Sequence, residues 1–410
     1  MTTAAKVPGN LVVDFDIYDQ SMAMPVDTVP QRVAELASKG PVVYSTAHGG
    51  HWIVTRYQEI HDVLRDPETF SSYPNNLVST TAGFGKFLPL ELDPPEHTGY
   101  RRALQPLFSP QRMQALEDDI RAVINELIDA FANTGEAEFI TAFAHELPTR
   151  VFLTLMDWPL ADAAMFTEAT DIVLTGIPGA SEEESNQARG TAAFRMLGYF
   201  QQMIDARRAN PGTDVTSTII HTEVELADGT RLLTDEELNR MFFLLLIAGL
   251  HTVQGSLAWS IMHLSNNPEQ RRELVADPTL IPSAVEEILR IEAAVIPGRR
   301  ATRAVELGGV TIAEGDQLIL LLCSANRDAA EFAQPDALQL DRRPNRHLSF
   351  GAGAHRCLGS HLARVELRLA LEEIHRRIPD YALVESDPPI LHASQVRGCV
   401  RLPITFTAEG

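Results

Sequence analysis

The sequence predicts a mainly α-helical chain with small β regions, and three observations lead there. From His97 onward most apolar residues recur at helical spacing. One uninterrupted helical pattern runs from Asp235 to Asn266. Between and after the helical stretches lie only short runs with strand character. Neither an internal repeat nor a low-complexity linker divides the chain, so residues 1–410 read as a single domain preceded by an N-terminal tail of about 20 residues.

Element by element, Gly50–Thr55 reads as a strand and Tyr57–Leu64 as a helix closed by Pro67. Residues 71–90 mix Ser, Pro, Asn and Gly with isolated Phe and Leu, and are expected to form a long, functional loop. Amphipathic helices are expected over Asp118–Asn133, Ala142–Met156 and Thr191–Arg208. The Asp235–Asn266 helix starts on a clear signal: Thr234 as N-cap, then Asp235, Glu236 and Glu237 in the first turn. At 1.5 Å per residue it is a rod of roughly 48 Å. Its centre, Phe242–Ala248, is apolar on every face and should cross the core. Ile281–Glu292 is a further helix, followed by strands at Ala304–Val310, Gln317–Leu322 and Gly398–Thr407, and by a last long helix at Leu358–Ile378.

Composition narrows the function classes. The 410 residues are 45% hydrophobic and 22% charged, as in globular chains. A net charge of -21, from 55 acidic and 34 basic residues, disfavours nonspecific binding to nucleic acid or anionic membranes. Cys323, Cys357 and Cys399 form neither a zinc pattern nor a C-x-x-C, and three cysteines are too few to staple such a chain, so a reducing, cytoplasmic setting is expected. Residues 1–20 lack the apolar segment of a signal peptide or anchor. The longest apolar stretch, Met241–Gly249, is about half of a membrane span.

Chemistry concentrates in Phe350-Gly351-Ala352-Gly353-Ala354-His355-Arg356-Cys357-Leu358-Gly359. Glycines suit a tight turn with backbone close to a bulky group. Cys357, at the head of a long helix, is placed to be a thiolate favoured by free N–H groups and the helix dipole. An arbitrary cysteine is a small buried hydrophobe, which is the reading for Cys323 and Cys399. The Cys357 segment resembles the haem-binding signature of the cytochrome P450 family, F-G-x-G-x-H-x-C-x-G, at every specified position. The resemblance implies the P450 fold, with haem b held between the long central helix and the cysteine loop. It also implies Cys357 as the iron ligand, with Phe350, Gly351 and Gly359 shaping its loop.

Further segments extend the likeness over roughly residues 50–405. Glu287 and Arg290 stand three apart on one helical face, alone an ordinary ion pair worth a few tenths of a kcal/mol. They resemble the family's bracing E-x-x-R, whose partner arginine would be Arg342, with Arg343 second. The family's usual Phe-Asp near this arginine is Leu338-Gln339 here. Propionate donors implied by the likeness are His97 and Arg101, four apart on one helix, Arg299 just before a strand, and His355. Each alone could be a solvated base.

Ala248-Gly249-Leu250-His251-Thr252 resembles the family's A-G-x-[DE]-T. The small pair Ala248 and Gly249 would let the helix approach the haem, and Thr252 would help deliver protons during oxygen activation. A mid-helix threonine also bonds back to the carbonyl four residues earlier, here Ala248. His251 departs from the family's acid. An imidazole can relay protons through its two nitrogens or sit neutral and pack.

The implied activity is a monooxygenase that inserts one oxygen atom from O₂ into a small, mainly apolar organic substrate. Leu77, Phe84, Phe87, Leu244, Ala248, Val295, Ile296 and Val396 would line the pocket beneath a mobile roof at Val173–Ala192, and Lys86 is a solvated lysine or a carboxylate contact. Because the sequence ends at Gly410 with no reductase segment, electrons would come from a ferredoxin or flavodoxin with its NAD(P)H-dependent reductase. Arg101, Arg102, Arg112, Arg356 and Arg364 would steer that partner. Two other functions stay open at this point: a peroxide-driven or O₂-independent haem-thiolate enzyme, and a non-catalytic haem sensor.

Overall fold

The computed structural model describes residues 7–78, 85–177, 180–227 and 229–410. Two hydrophobic cores form, one among the helices and one around a sheet. Among the described residues the larger sheet has six strands: β1 (Val12–Val13), β2 (Val42–Ser45), β3 (His51–Val54), β4 (Phe70–Ser71), β5 (Gly298–Ala301) and β6 (Gln317–Leu320). Their spatial order is β1-β2-β3-β6-β5-β4. Residues near the start, expected as a tail, instead join this sheet: Val12 pairs with Tyr44 and Val13 with Ser45, while Phe15 and Ile17 are buried. The parallel pairing of β3 with β6 aligns Trp52 with Leu318, and antiparallel β5 sets Arg299 opposite that same Leu318.

The helices that matter for the site are α1 (Glu96–Leu104), α2 (Glu146–Met156), α3 (Ala163–Thr175), α4 (Glu182–Ala209), α5 (Asp235–Asn266), α6 (Ile281–Ile291) and α7 (Ser360–Arg377). α5 has the expected bounds. Its start is a reciprocal cap: Glu237 N–H donates to Thr234 Oγ1 at 3.3 Å, and Thr234 N–H donates to the Glu237 carboxylate at 2.7 Å. Phe242, Phe243, Leu246, Leu250 and Leu257 are buried, so α5 runs through the helical core. By length and composition this helix could cross a membrane, but most of its apolar window is buried inside the fold.

Several boundaries differ from expectation for local reasons. α4 begins nine residues before Thr191, because Ser181 and Glu184 form a capping box that a polar run had concealed. The roof expected over Val173–Ala192 is therefore mostly the end of α3 and the start of α4. The helix expected from Ala142 starts as a π turn, Ile140–Ala144, before α2. The strand expected at Ala304–Val310 is a hairpin, Val305–Leu307 with Val310–Ile312, turned by Gly308 and Gly309 at positive φ. Gly398–Thr407 divides into Gly398–Arg401 and Pro403–Thr405. Leu358 and Gly359 precede α7, which starts at Ser360.

Candidate active site

Cys357 stands in the turn that enters α7, three residues ahead of the first helical residue rather than on the helix. Two backbone bonds close the turn: Gly351 N–H to the Leu348 carbonyl at 2.7 Å, and Cys357 N–H to the Phe350 carbonyl at 2.8 Å. Gly351 and Gly353 sit at φ +66° and +68°, where a side chain is strained. Asn326 ties the turn to the core, accepting Leu348 N–H at 2.7 Å and donating to Ser349 Oγ at 2.8 Å. Ser349 Oγ in turn donates to the Leu289 carbonyl of α6 at 2.6 Å. Phe350 lies beneath the Arg364 guanidinium, 4.3 Å from ring centre to charge.

Of the three cysteines, Cys323 and Cys399 are buried and Cys357 is exposed. Although its own surface is open, protein atoms crowd around Cys357, and this desolvation pushes its thiol up. The Gly359 N–H and the charges of Arg101, Arg364 and Arg356 act in the opposite sense but do not prevail. A bound metal cation would favour the deprotonated sulfur.

The four bases singled out in the sequence come together although they arrive from three separate segments. His97 and Arg101 stand on α1, Arg299 lies within β5 rather than before it, and His355 sits on the cysteine turn. The rings of His97 and His355 have centroids 4.2 Å apart. Arg101 donates to the carbonyl of Arg356. Arg299 is 3% exposed and donates to the Gly298 carbonyl at 2.7 Å. Burial pushes Arg299 down to about 10. Burial, then the charges of Arg299, His97 and Arg101, push His355 down to about 2. His355 Nε2 is buried without a hydrogen-bond partner, its nearest carboxylate being Asp93 at 4.0 Å. A buried guanidinium, an orphaned imidazole nitrogen and a nearby thiol suit a dianionic macrocycle that carries a thiophilic metal.

Behind the turn, Glu287, Arg290 and Arg342 form one buried network. Arg290 grips both oxygens of Glu287 at 2.8 Å, and Arg342 Nε lies 3.0 Å from each. Arg343 is exposed and takes no part.

On α5, Leu244 and Thr252 are half-buried and Ala248 is exposed, a stripe at four-residue spacing along one side of the helix. Thr252 Oγ1 donates to the Ala248 carbonyl at 2.9 Å. A Cβ on Gly249 would come within 3.3 Å of the Phe152 ring, so its smallness accommodates the packing of α2, and Ala248 is the exposed small residue of the pair. His251 Nε2 lies 3.3 Å from Asp171 of α3. Burial, followed by the charges of His145 and His392, pushes His251 down to about 3.

Of the expected pocket walls, Val295 and Val396 pair across a β-bridge. Gln395 gathers their neighbours, accepting Leu77 N–H at 2.6 Å and donating to the Ile296 carbonyl at 2.9 Å. Phe87 stacks on Phe243 of α5 at 5.9 Å and packs into the helical core. Phe84 lies outside the described residues. The expected basic patch is largely committed elsewhere: Arg102 pairs with Glu225 at 2.7 Å, and Arg364 with Glu286 at 2.6 Å. Arg112 and Arg356 are exposed.

Sequence reasoning missed three residues. Gln395 and Asp171 carry no local signal, since their partners are distant in the chain. Asp93 accepts Ser71 Oγ at 2.5 Å and Ser72 N–H at 2.9 Å, fixing the approach to α1. Its place before Pro94-Pro95 at a helix entry was the available hint.

Comparison with known proteins agrees with this geometry. The profile described as Cytochrome P450 matches residues 161–377. A probable cytochrome P450 127A1 of Sinorhizobium fredii is 33% identical over 98% of this chain and 96% of its own. A mycinamicin IV hydroxylase/epoxidase of Micromonospora griseorubida is 34% identical over 92% and 96%. The crystal structure of cytochrome P450 CYP101C1 superposes with a TM-score of 0.88 at 32% identity, covering 99% of this chain and 100% of that one. The chain belongs to the cytochrome P450 family and is a haem b monooxygenase.

Proposed function

We propose that Cys357 is the thiolate ligand of the haem iron and that His97, Arg101, Arg299 and His355 hold the propionates. The observation that carries this reading is the buried, unpartnered His355 Nε2 beside Arg299 on the turn that presents Cys357. When bound, the haem would supply oxygen activation, to which the Cys357 thiolate would contribute electron density. The chain's own part is positional. The Glu287 network and the Asn326 bonds fix the turn, so the sulfur has one place to be. Leu244, Ala248, Val295, Ile296 and Val396 present an apolar wall that orients a carbon-rich substrate and excludes water. Thr252, its hydroxyl proton engaged by the Ala248 carbonyl, has lone pairs free to accept and pass on a proton.

The substrate class is a small, mainly apolar organic molecule, and similarity to a mycinamicin IV hydroxylase/epoxidase is compatible with oxidation of such a molecule. The electron donor is a ferredoxin or flavodoxin served by an NAD(P)H-dependent reductase, meeting the exposed Arg112 and Arg356 side in the cytoplasm. The test is spectroscopic. The reduced protein with carbon monoxide should show the thiolate-type Soret band, and Cys357→Ser should lose it. A panel of terpenoids, steroids, fatty acids and aromatics should contain compounds that change the ferric spin state. Product should form with NADH and redox partners in preference to peroxide. An unchanged carbonyl spectrum in Cys357→Ser would sink the assignment.

A further inference from the structure

Residues 393–397 join the strands Ile390–His392 and Gly398–Arg401, and they alternate in burial: Ala393, Gln395 and Arg397 are buried, while Ser394 and Val396 are half-buried. In extended backbone, alternate side chains face opposite ways. On one side Val396 meets Val295 across the β-bridge. On the other, each buried residue is held by a segment from the far end of the chain. Gln20 Nε2 donates to the Ala393 carbonyl at 2.7 Å, and Gln20 Oε1 accepts the Ala393 N–H at 3.2 Å. The Tyr18 hydroxyl donates to Gln395 Oε1 at 2.8 Å. Asp27 Oδ2 accepts Arg397 Nη2 at 2.9 Å. The same segment is anchored behind these contacts, because Phe15, Ile17 and Met22 are buried in the core around the sheet.

Gln395 converts this support into pocket geometry. Its Oε1 also accepts Leu77 N–H at 2.6 Å, and its Nε2 donates to the carbonyls of Asn75 at 3.2 Å and Ile296 at 2.9 Å. A side-chain amide has two donors and two acceptor positions, and here all four are engaged. The Gln395 carbonyl accepts Ile296 N–H at 2.8 Å as well. An apolar side chain at 395 would fill the same space, but it would not fix the spacing of its neighbours, since only hydrogen bonds are directional. With Gln395 buried, losing any one partner is costly, so the places of Leu77, Ile296 and Val396 are set jointly. Tyr18 is the member of this set that lies outside the expected pocket walls. Burial, opposed by the Val78 backbone and aided by the charge of Asp16, pushes its phenol up to about 12, so it stays a donor at working pH.

We propose that Tyr18 is a specificity-determining positioning residue of the monooxygenase: through Gln395 it sets the spacing between Leu77 on one wall and Ile296 and Val396 on the other. That spacing selects which apolar substrates fit and which carbon they present. The proposal rests on the reading of Leu77, Ile296 and Val396 as pocket walls. Bulky, rigid substrates touch both walls and depend on the spacing most; small ones depend on it least. The segment that begins with β1 is therefore part of the frame of the pocket.

The experiment uses the haem-loaded protein and two readouts. The first needs no substrate. Hydrogen exchange followed by mass spectrometry should quicken by about tenfold in Tyr18→Phe over residues 75–78 and 293–298, and stay as in the parent over residues 12–17. Asp19→Ala is the control, since exposed Asp19 accepts Ser21 N–H at 2.9 Å and does not reach Gln395; both regions should exchange as in the parent. The second readout is the dissociation constant from the spin change, with the product distribution, for the compound that gives the largest spin change in the panel and for a smaller compound of its class. Tyr18→Phe should weaken the larger compound by about three- to tenfold, the factor one hydrogen bond transmits, and spread its products over more positions. The smaller compound, the haem content and the carbonyl spectrum should be unchanged. Gln395→Leu should show the same pattern, and adding Tyr18→Phe to it should bring no further loss, because one acts through the other. Parent-like exchange over both regions in Tyr18→Phe overturns the proposal whatever the substrate. So do parent-like binding and products, losses that add in the double variant, or equal losses in Asp19→Ala, which mark a general weakening of the fold. Val396→Ala tests the reading beneath with Tyr18 intact: parent-like binding and products there overturn the wall assignment itself.

Discussion

Glu287 and Arg342 meet at 3.0 Å although 55 residues separate them, and neither reaches solvent: their side chains are 0% and 6% exposed. Arg290 completes the group, itself 0% exposed. The two guanidiniums also donate to backbone carbonyls of Asn326, Ala333, Gln334, Pro335 and Ala337. One carboxylate thus holds in place the two cations that organise the whole approach to the cysteine turn.

Replacing that carboxylate strands both cations in the interior. Removing one partner of a buried ion pair costs about 3–5 kcal/mol, so Glu287→Ala should lower the melting temperature markedly and yield little haem-loaded protein. Glu287→Gln keeps hydrogen-bond acceptance but not the charge and should fall between. The ratio of Soret to protein absorbance, with a thermal melt, measures both. Normal haem content in Glu287→Ala would refute the bracing role.

The turn has a second point of rigidity at Gly353. A Cβ there would lie 2.4 Å from the Leu64 carbonyl oxygen, in a backbone conformation with φ +68°. Gly353→Ala combines a backbone clash with left-handed strain, each worth on the order of 1–3 kcal/mol. The turn should shift and haem affinity should fall, although Cys357 itself is untouched. Haem transfer to apomyoglobin gives the rate of loss, which should rise severalfold; the same rate as the parent would show that the close approach to Leu64 is dispensable.

What the sequence disclosed and what it hid divide along a physical line. α5 was legible to the residue because its cap and its apolar centre are local signals. The cysteine turn was legible because its glycines are tied to backbone geometry. Arg342 could be nominated over Arg343 only through family likeness, since burial decides between them and burial is not local. That Gly249 makes room for the Phe152 ring was not legible, because smallness does not say which neighbour it accommodates. Asp171 and Gln395 gave no sign at all: each acts on partners brought near by tertiary packing. The start of α4 was missed because an exposed run of Glu, Ser and Asn carries little periodicity, although Ser181 and Glu184 had the spacing of a capping box.

Acid should loosen the same region through Glu286. This carboxylate accepts Arg364 Nε at 2.6 Å, Arg364 Nη2 at 2.8 Å and His347 Nε2 at 3.1 Å. Burial alone would raise its pKa, but the hydrogen bonds and charges of Arg364 and His347 prevail and hold it at about 2 against an ordinary 4.5. A depressed carboxylate stabilises the fold fully above its unfolded value, and that contribution drains away as pH falls from about 4.5 toward 2. Because the Glu286 side chain is 27% exposed, solvent screening reduces the contribution to the order of 2 kcal/mol. The loss frees Arg364, which lies over Phe350 beside the cysteine turn. Glu286→Gln lacks the titrating group, so the gap in unfolding free energy between parent and variant should be largest near pH 7 and shrink between pH 4.5 and 3. Urea titrations at pH 7, 4.5 and 3.5 would measure it. A gap that stays constant across those values would mean that Glu286 titrates no differently in the folded and unfolded chains, and that the clamp between α6 and α7 owes nothing to its charge.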